Sequence, residues 1–133
     1  MYRFDVVNNS WGYGDSEAAF SDAPNGINHW ALFQGLHDAA MNGRNGLGTV
    51  LVKSAGNQRD VGLETNTSGF AASRFTLDVG AVASDGYAAF YSTPGATLHV
   101  VAPSSGAAQT LTSTDWGTAV SYTHLTLPTN REV

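Results

Sequence analysis

Apolar residues in this chain fall in short runs separated by glycine-rich and polar stretches, and most runs are strand-length. The run Thr49-Val50-Leu51-Val52-Lys53-Ser54-Ala55-Gly56-Asn57 is rich in β-branched residues, the mark of a parallel strand buried on both faces. Comparable runs predict strands at 4–8, 48–55, 75–82, 88–92 and 97–102. Between the first two, Ile27, Trp30, Ala31, Leu36, Ala39 and Ala40 recur near helical spacing after the Pro24-Asn25-Gly26 break. They predict a helix over 27–43, with Asn42-Gly43 as its stop. Polar loops fill 9–25 and 56–72. Strand, helix, strand with parallel neighbours requires a right-handed crossover, so the predicted class is α/β.

Composition narrows the possibilities. The 133 residues are 42% hydrophobic, 11% aromatic and 13% charged, as in a globular protein, and no stretch reaches the roughly twenty apolar residues of a membrane span. No membrane partner is expected. A net charge of −5, with only six Lys and Arg and no cluster of them, argues against a nucleic-acid partner. The absence of cysteine excludes disulfides and thiolate metal sites. Met1-Tyr2-Arg3-Phe4-Asp5-Val6-Val7 enters a strand almost at once and lacks the basic start and apolar core of a signal peptide. The chain is therefore expected to begin inside a domain.

The candidate chemistry starts at Asn57. It ends a predicted buried strand, at the carboxyl edge where open α/β sheets place their sites. Its amide can donate two hydrogen bonds, and an amide aimed at developing negative charge is one way to build an oxyanion hole. Taken alone, Gly56-Asn57 also reads as an ordinary turn. Its neighbours add context. Asp5-Val6-Val7-Asn8-Asn9-Ser10-Trp11-Gly12 is a second apolar strand ending in Ser-Trp-Gly. Further on come Phe75-Thr76-Leu77-Asp78-Val79-Gly80-Ala81-Val82, Ala89-Phe90-Tyr91-Ser92-Thr93-Pro94-Gly95 and Val100-Val101-Ala102-Pro103. In order and spacing, from about Asp5 to about Ala119, this resembles the subtilisin-like serine proteases, and most of all their kexin/furin-like branch.

The resemblance implies a partial subtilisin-like parallel sheet with a crossover helix, an incomplete peptidase domain over 1–119. It implies a polypeptide substrate, a secreted parent and peptide-bond hydrolysis through an acyl-enzyme. Asn57 would be the oxyanion donor. Ser10, Trp11 and Gly12 would form one wall of a cleft that binds substrate in extended form; Ser54, Ala55 and Gly56 would form the other. Trp11 could equally be a core aromatic. Asp15 matches an acid that in kexin-like enzymes helps bind a basic side chain and meets calcium, and Ser68 falls where those enzymes carry the aspartate of Asp-Gly-Tyr. Tyr13-Gly14 replaces a proline and an acid, so the carboxylate cluster that would select Lys or Arg is thinned. No cofactor is expected in this chain, though calcium could belong to the parent. Asp15 and Glu64 are the carboxylates it could meet, but calcium needs six to eight oxygens, and solvated loops are the simpler reading of both.

The triad itself is expected to be missing. No His-Gly-Thr segment precedes Ser10, and the downstream Gly-Thr-Ser motif is absent; Gly117-Thr118-Ala119 is only superficially similar to it, since alanine cannot attack a carbonyl. His29 and His37 lie on the predicted helix and His99 in a strand; all three read as structural. Residues 120–133 resemble a translated sequencing adapter, a non-native tail that removes His124 from consideration. The other class of function is a non-catalytic peptide-binding module derived from a protease. A nucleotide-binding unit would need more of a phosphate loop than Gly12-Tyr13-Gly14.

Overall fold

The computed structural model describes residues 4–12 and 30–105. Four strands, β1 (Val6–Asn9), β2 (Val50–Ser54), β3 (Thr76–Val82) and β4 (Leu98–Pro103), form one sheet in the order β1-β2-β3-β4. Every pairing is parallel. Val6 aligns with Val50, Leu51 with Thr76 and Val79 with Val100, with a register shift at Asp78/Val79. Helix α1 (Trp30–Gly46) links β1 to β2. The α/β class and the crossover helix are as the sequence predicts.

Helical geometry in α1 ends at the predicted stop: Gly43 is extended and Arg44 and Asn45 are left-handed. The chain then folds back against the helix end, where the Thr49 N–H donates to Ala39 O at 2.9 Å and the Gly48 N–H to Gly43 O at 2.8 Å. Gly48 has φ +83°, and a Cβ there would sit 2.4 Å from Ala40 O. Only glycine makes this return without strain.

Leu36 and Ala39 of α1, Leu51 of β2 and Phe70 from the β2–β3 connection make the core, with Val7 and Phe75 packed against it. Phe33 adds a ring 5.9 Å from Phe75. Each large apolar side chain buried here contributes on the order of 1.5–3 kcal/mol. All of this lies on the face that Leu51 points to. The opposite face carries Val6, Val50, Leu77 and Val100, which remain 58%, 43%, 37% and 48% exposed.

One predicted element takes another form. Residues 88–92 are not a strand: a single antiparallel bridge joins Ala88 to Val82, and the chain turns immediately, with the Ser92 N–H on Ala89 O at 3.0 Å. The cause lies at β3. Val79 O is taken by the Ala55 N–H, after which β2 ends and the vacated edge at Ala81 O receives the Ala89 N–H. The Ser92 hydroxyl caps the Ala81 N–H at 3.0 Å. There is room for one bridge and a turn.

This face of four branched apolar residues, uncovered among the described residues, predicts the solution behaviour of the isolated 133-residue chain. It should bind a hydrophobic dye such as ANS and lose structure over a broad temperature range. A sharp cooperative melt of a monomer without dye binding would contradict this.

Candidate functional site

The carboxyl ends of β1 and β2 lie side by side, Asn9 aligned with Lys53. Asn9 is buried, and its Nδ2 donates to Val52 O at 3.2 Å and Val7 O at 3.5 Å. Its Oδ1 accepts from the Trp11 indole N–H at 3.2 Å, which fixes the ring just beyond the strand. Trp11 is both things at once: 41% exposed and tilted against core Phe70 at 5.2 Å. Ser10 Oγ accepts from Asn8 Nδ2 at 2.9 Å, and Gly12 is open to solvent. Asp15 lies outside the described residues.

The second wall is more internal than its sequence suggests. Ser54 and Ala55 are buried. Ser54 O accepts from Lys53 Nζ at 2.7 Å, the Ala55 N–H is held by Val79 O, and Gly56 O accepts from the Thr93 N–H at 3.1 Å. Of this segment only Gly56 and Asn57 are partly exposed. Gly56 turns the chain at φ +93°, where a Cβ would lie 2.3 Å from Gln58 Oε1. Asn57 follows, partly exposed. Its Oδ1 is buried and accepts no hydrogen bond, while Nδ2 is the amide's donor. Beside this turn a small cleft is lined by Ala55, Leu63, Glu64, Thr67, Ser68 and Thr93. Ser68 is buried in its wall, with Oγ accepting from the Ala71 N–H at 3.3 Å.

A row of polar residues behind the site escaped the sequence reading. Lys53 and Asp78 are aligned on β2 and β3 and are 2% and 0% exposed. Asp78 Oδ2 accepts from the Thr97 hydroxyl at 2.9 Å, and Thr97 in turn lies 2.6 Å from the Thr65 hydroxyl. The Asp78 N–H donates to His99 Nδ1 at 3.3 Å. Burial pushes the Asp78 carboxyl up to about 6; Thr97, then Lys53 and His99, oppose the rise. Through Thr97 and Thr65 the row fastens the turn leading to Ser68. An isolated lysine inside an apolar run, and an aspartate inside another, were the available signals.

The histidines have structural settings. His37 packs edge-on to Phe75 at 5.4 Å, next to Asp38, and His99 holds the β3 backbone; His29 lies outside the described residues. Among the described residues no three His, Cys, Asp or Glu side chains converge. The Glu64 carboxylate accepts from Asn66 Nδ2 at 2.9 Å. Those oxygens alone do not fit calcium's coordination number. No described helix is long and apolar enough to cross a membrane.

Comparison with known proteins specifies the class to which this parallel sheet belongs. The sequence matches the subtilase family, Peptidase S8, over residues 2–131; the chain belongs to that family. It is 37% identical over 106 residues to a dibasic-processing endoprotease of Schizosaccharomyces pombe, covering 80% of this chain and 14% of that protein. It is 32% identical over 114 residues to proprotein convertase subtilisin/kexin type 7 of Mus musculus, covering 84% and 14%. The chain thus spans about a seventh of the length of these relatives. The crystal structure of a serine protease of Aeromonas sobria superposes with a TM-score of 0.59 at 18% identity, over 77% of this chain and 19% of that one. That likeness concerns the fold.

The raised pKa of Asp78 has a signed consequence. The folded state binds its proton more tightly than the unfolded chain, so this group's contribution to stability falls as pH rises from about 4 to about 6. In a full-length protein carrying this segment, the melting temperature of Asp78→Asn relative to wild type should rise across that window. A difference that stays flat from pH 4 to 7 would show that Asp78 is not titrating there.

Proposed function

We propose that this chain carries the oxyanion donor and the two substrate walls of a secreted, kexin-related serine endopeptidase. The observation that carries the reading is Asn57. Its donor sits at the carboxyl end of an inner strand, on a turn whose backbone is held on both sides, while its acceptor is buried and unpaired. A polypeptide laid in extended form between Ser10–Gly12 and Gly56–Asn57 would bring a carbonyl oxygen toward that amide. As a nucleophile adds to the carbonyl carbon, the oxygen gains charge, and a donor already in place stabilises it without reorganisation. Ser68, in the wall of the adjoining cleft, would face the side chain preceding the scissile bond, with Asp15 as its acidic partner.

The base and the nucleophile are not among these residues: neither a His-Gly-Thr nor a Gly-Thr-Ser segment is present. The segment by itself therefore performs no turnover. A fluorophosphonate probe should leave the purified chain unlabelled; labelling would overturn this part of the reading. On this reading residues 120–133 are adapter-derived. A long sequencing read through codon 119 and upstream of codon 1 should continue into Gly-Thr-Ser, with His-Gly-Thr upstream. A genuine stop after Val133 would instead make this a non-catalytic peptide-binding module.

In the full-length enzyme, Asn57→Ala should lower kcat by about 10²–10³-fold with little change in KM. An unchanged kcat would remove Asn57 from the chemistry.

A further inference from the structure

We infer that Thr93 is the positioning residue for the Asn57 amide, an inference that rests on the oxyanion role proposed above. Thr93 is buried at 2% exposure and grips the chain on both sides of Asn57. Its N–H donates to Gly56 O at 3.1 Å. Its hydroxyl accepts from the Gln58 N–H at 2.9 Å and donates to Gln58 Oε1 at 3.2 Å. The residue before Asn57 and the residue after it are thus held by one side chain and its own backbone, while Asn57 itself has no such tie.

The arrangement matters because the Asn57 amide cannot hold itself. Its Oδ1 meets no donor, so no side-chain bond fixes its direction. The aim of Nδ2 must come from the backbone, and Gly56 at φ +93° is a soft joint on one side. Without a second restraint the turn could rotate and carry the amide away from the carbonyl oxygen. Geometry of that kind is worth much to rate: a misplacement of about 1 Å can cost on the order of 10²-fold.

Thr93 also has one hydroxyl proton, and the two contacts to Gln58 use it consistently, once as acceptor and once as donor. A serine can repeat both; valine, close in shape, can make neither. The backbone bond from Thr93 to Gly56 survives either change, so valine tests the hydroxyl alone.

The test uses the full-length enzyme and a fluorogenic peptidyl coumarinylamide, chosen from a panel by wild-type preference. Thr93→Val should lower kcat at least tenfold with KM within twofold, and Thr93→Ser should restore kcat to within threefold. In the Asn57→Ala background, Thr93→Val should cost no more than twofold, because the amide it positions is gone. Should Thr93→Val fail to accumulate, Gln58→Leu, which removes the hydroxyl's acceptor at a half-buried position, should lower kcat about threefold. The inference is overturned if Asn57→Ala lowers kcat while Thr93→Val, or Gln58→Leu in its place, does not. It is also overturned if the Asn57 and Thr93 losses simply multiply. If Asn57→Ala itself leaves kcat unchanged, the underlying oxyanion reading fails, and this positioning role fails with it.

Discussion

The direction in which the sheet is wound governs the rest of the molecule. Each strand is added to the same edge of its predecessor, giving the order β1-β2-β3-β4 with every neighbour parallel. Parallel neighbours require crossovers, and crossovers are right-handed. Strands laid down in one direction therefore send every connection across the same face. That accounts for α1, Phe70 and Thr97 all lying on the side of Leu51 and Asp78, and for the bare valines behind. It also brings every carboxyl end to one edge, so the segments that follow β1 and β2, Trp11 and Asn57 among them, leave the sheet on the same side.

Within that frame the site depends on β2 parting from β3. The last bond between them is Ala55 N–H to Val79 O, and two residues further on the same edge of β3 is occupied by Ala89. The turn through Ala89 and Ser92 acts as a wedge. It keeps β2 from continuing in the sheet and delivers Thr93 against Gly56 and Gln58. Had residues 88–92 paired as a full strand, the Gly56 carbonyl would have lost the Thr93 N–H as its partner.

This is also where the sequence was least legible. The strands β1 to β4 and the end of α1 could be read from β-branched runs and from Asn42-Gly43, because burial on both faces and helix termination leave local marks. The candidate site was legible only through the order of short motifs around Ser10-Trp11-Gly12 and Ser54-Ala55-Gly56-Asn57. Alternation alone could not tell that Ala88–Ser92 would be a wedge, since the competition for the β3 edge is decided by where β2 stops. Nor could it tell that Ser54 and Ser68 would be buried, because a serine's pattern is the same whether it faces substrate or a backbone N–H. The partnership of Thr93 with Gly56 and Gln58 spans more than thirty residues and has no local mark at all.

The polar interior shows why so few groups remain for substrate. Lys53, Asp78, Thr65, Thr76 and Ser92 are all buried, and buried polar groups must find partners or cost about 1–3 kcal/mol each. Most do: Thr76 caps Phe70 O, Ser92 caps the Ala81 N–H, and Lys53 reaches Ser54 O. The exceptions are then informative. Asp78 Oδ1 is unpaired and its carboxyl is correspondingly easier to protonate. Asn57 Oδ1 is unpaired but cannot neutralise itself, so the penalty stands whether or not substrate is present. No side-chain bond therefore fixes the direction of this amide, and the ties that hold it belong to its neighbours: the Thr93 N–H on Gly56 O and the Gln58 N–H on the Thr93 hydroxyl.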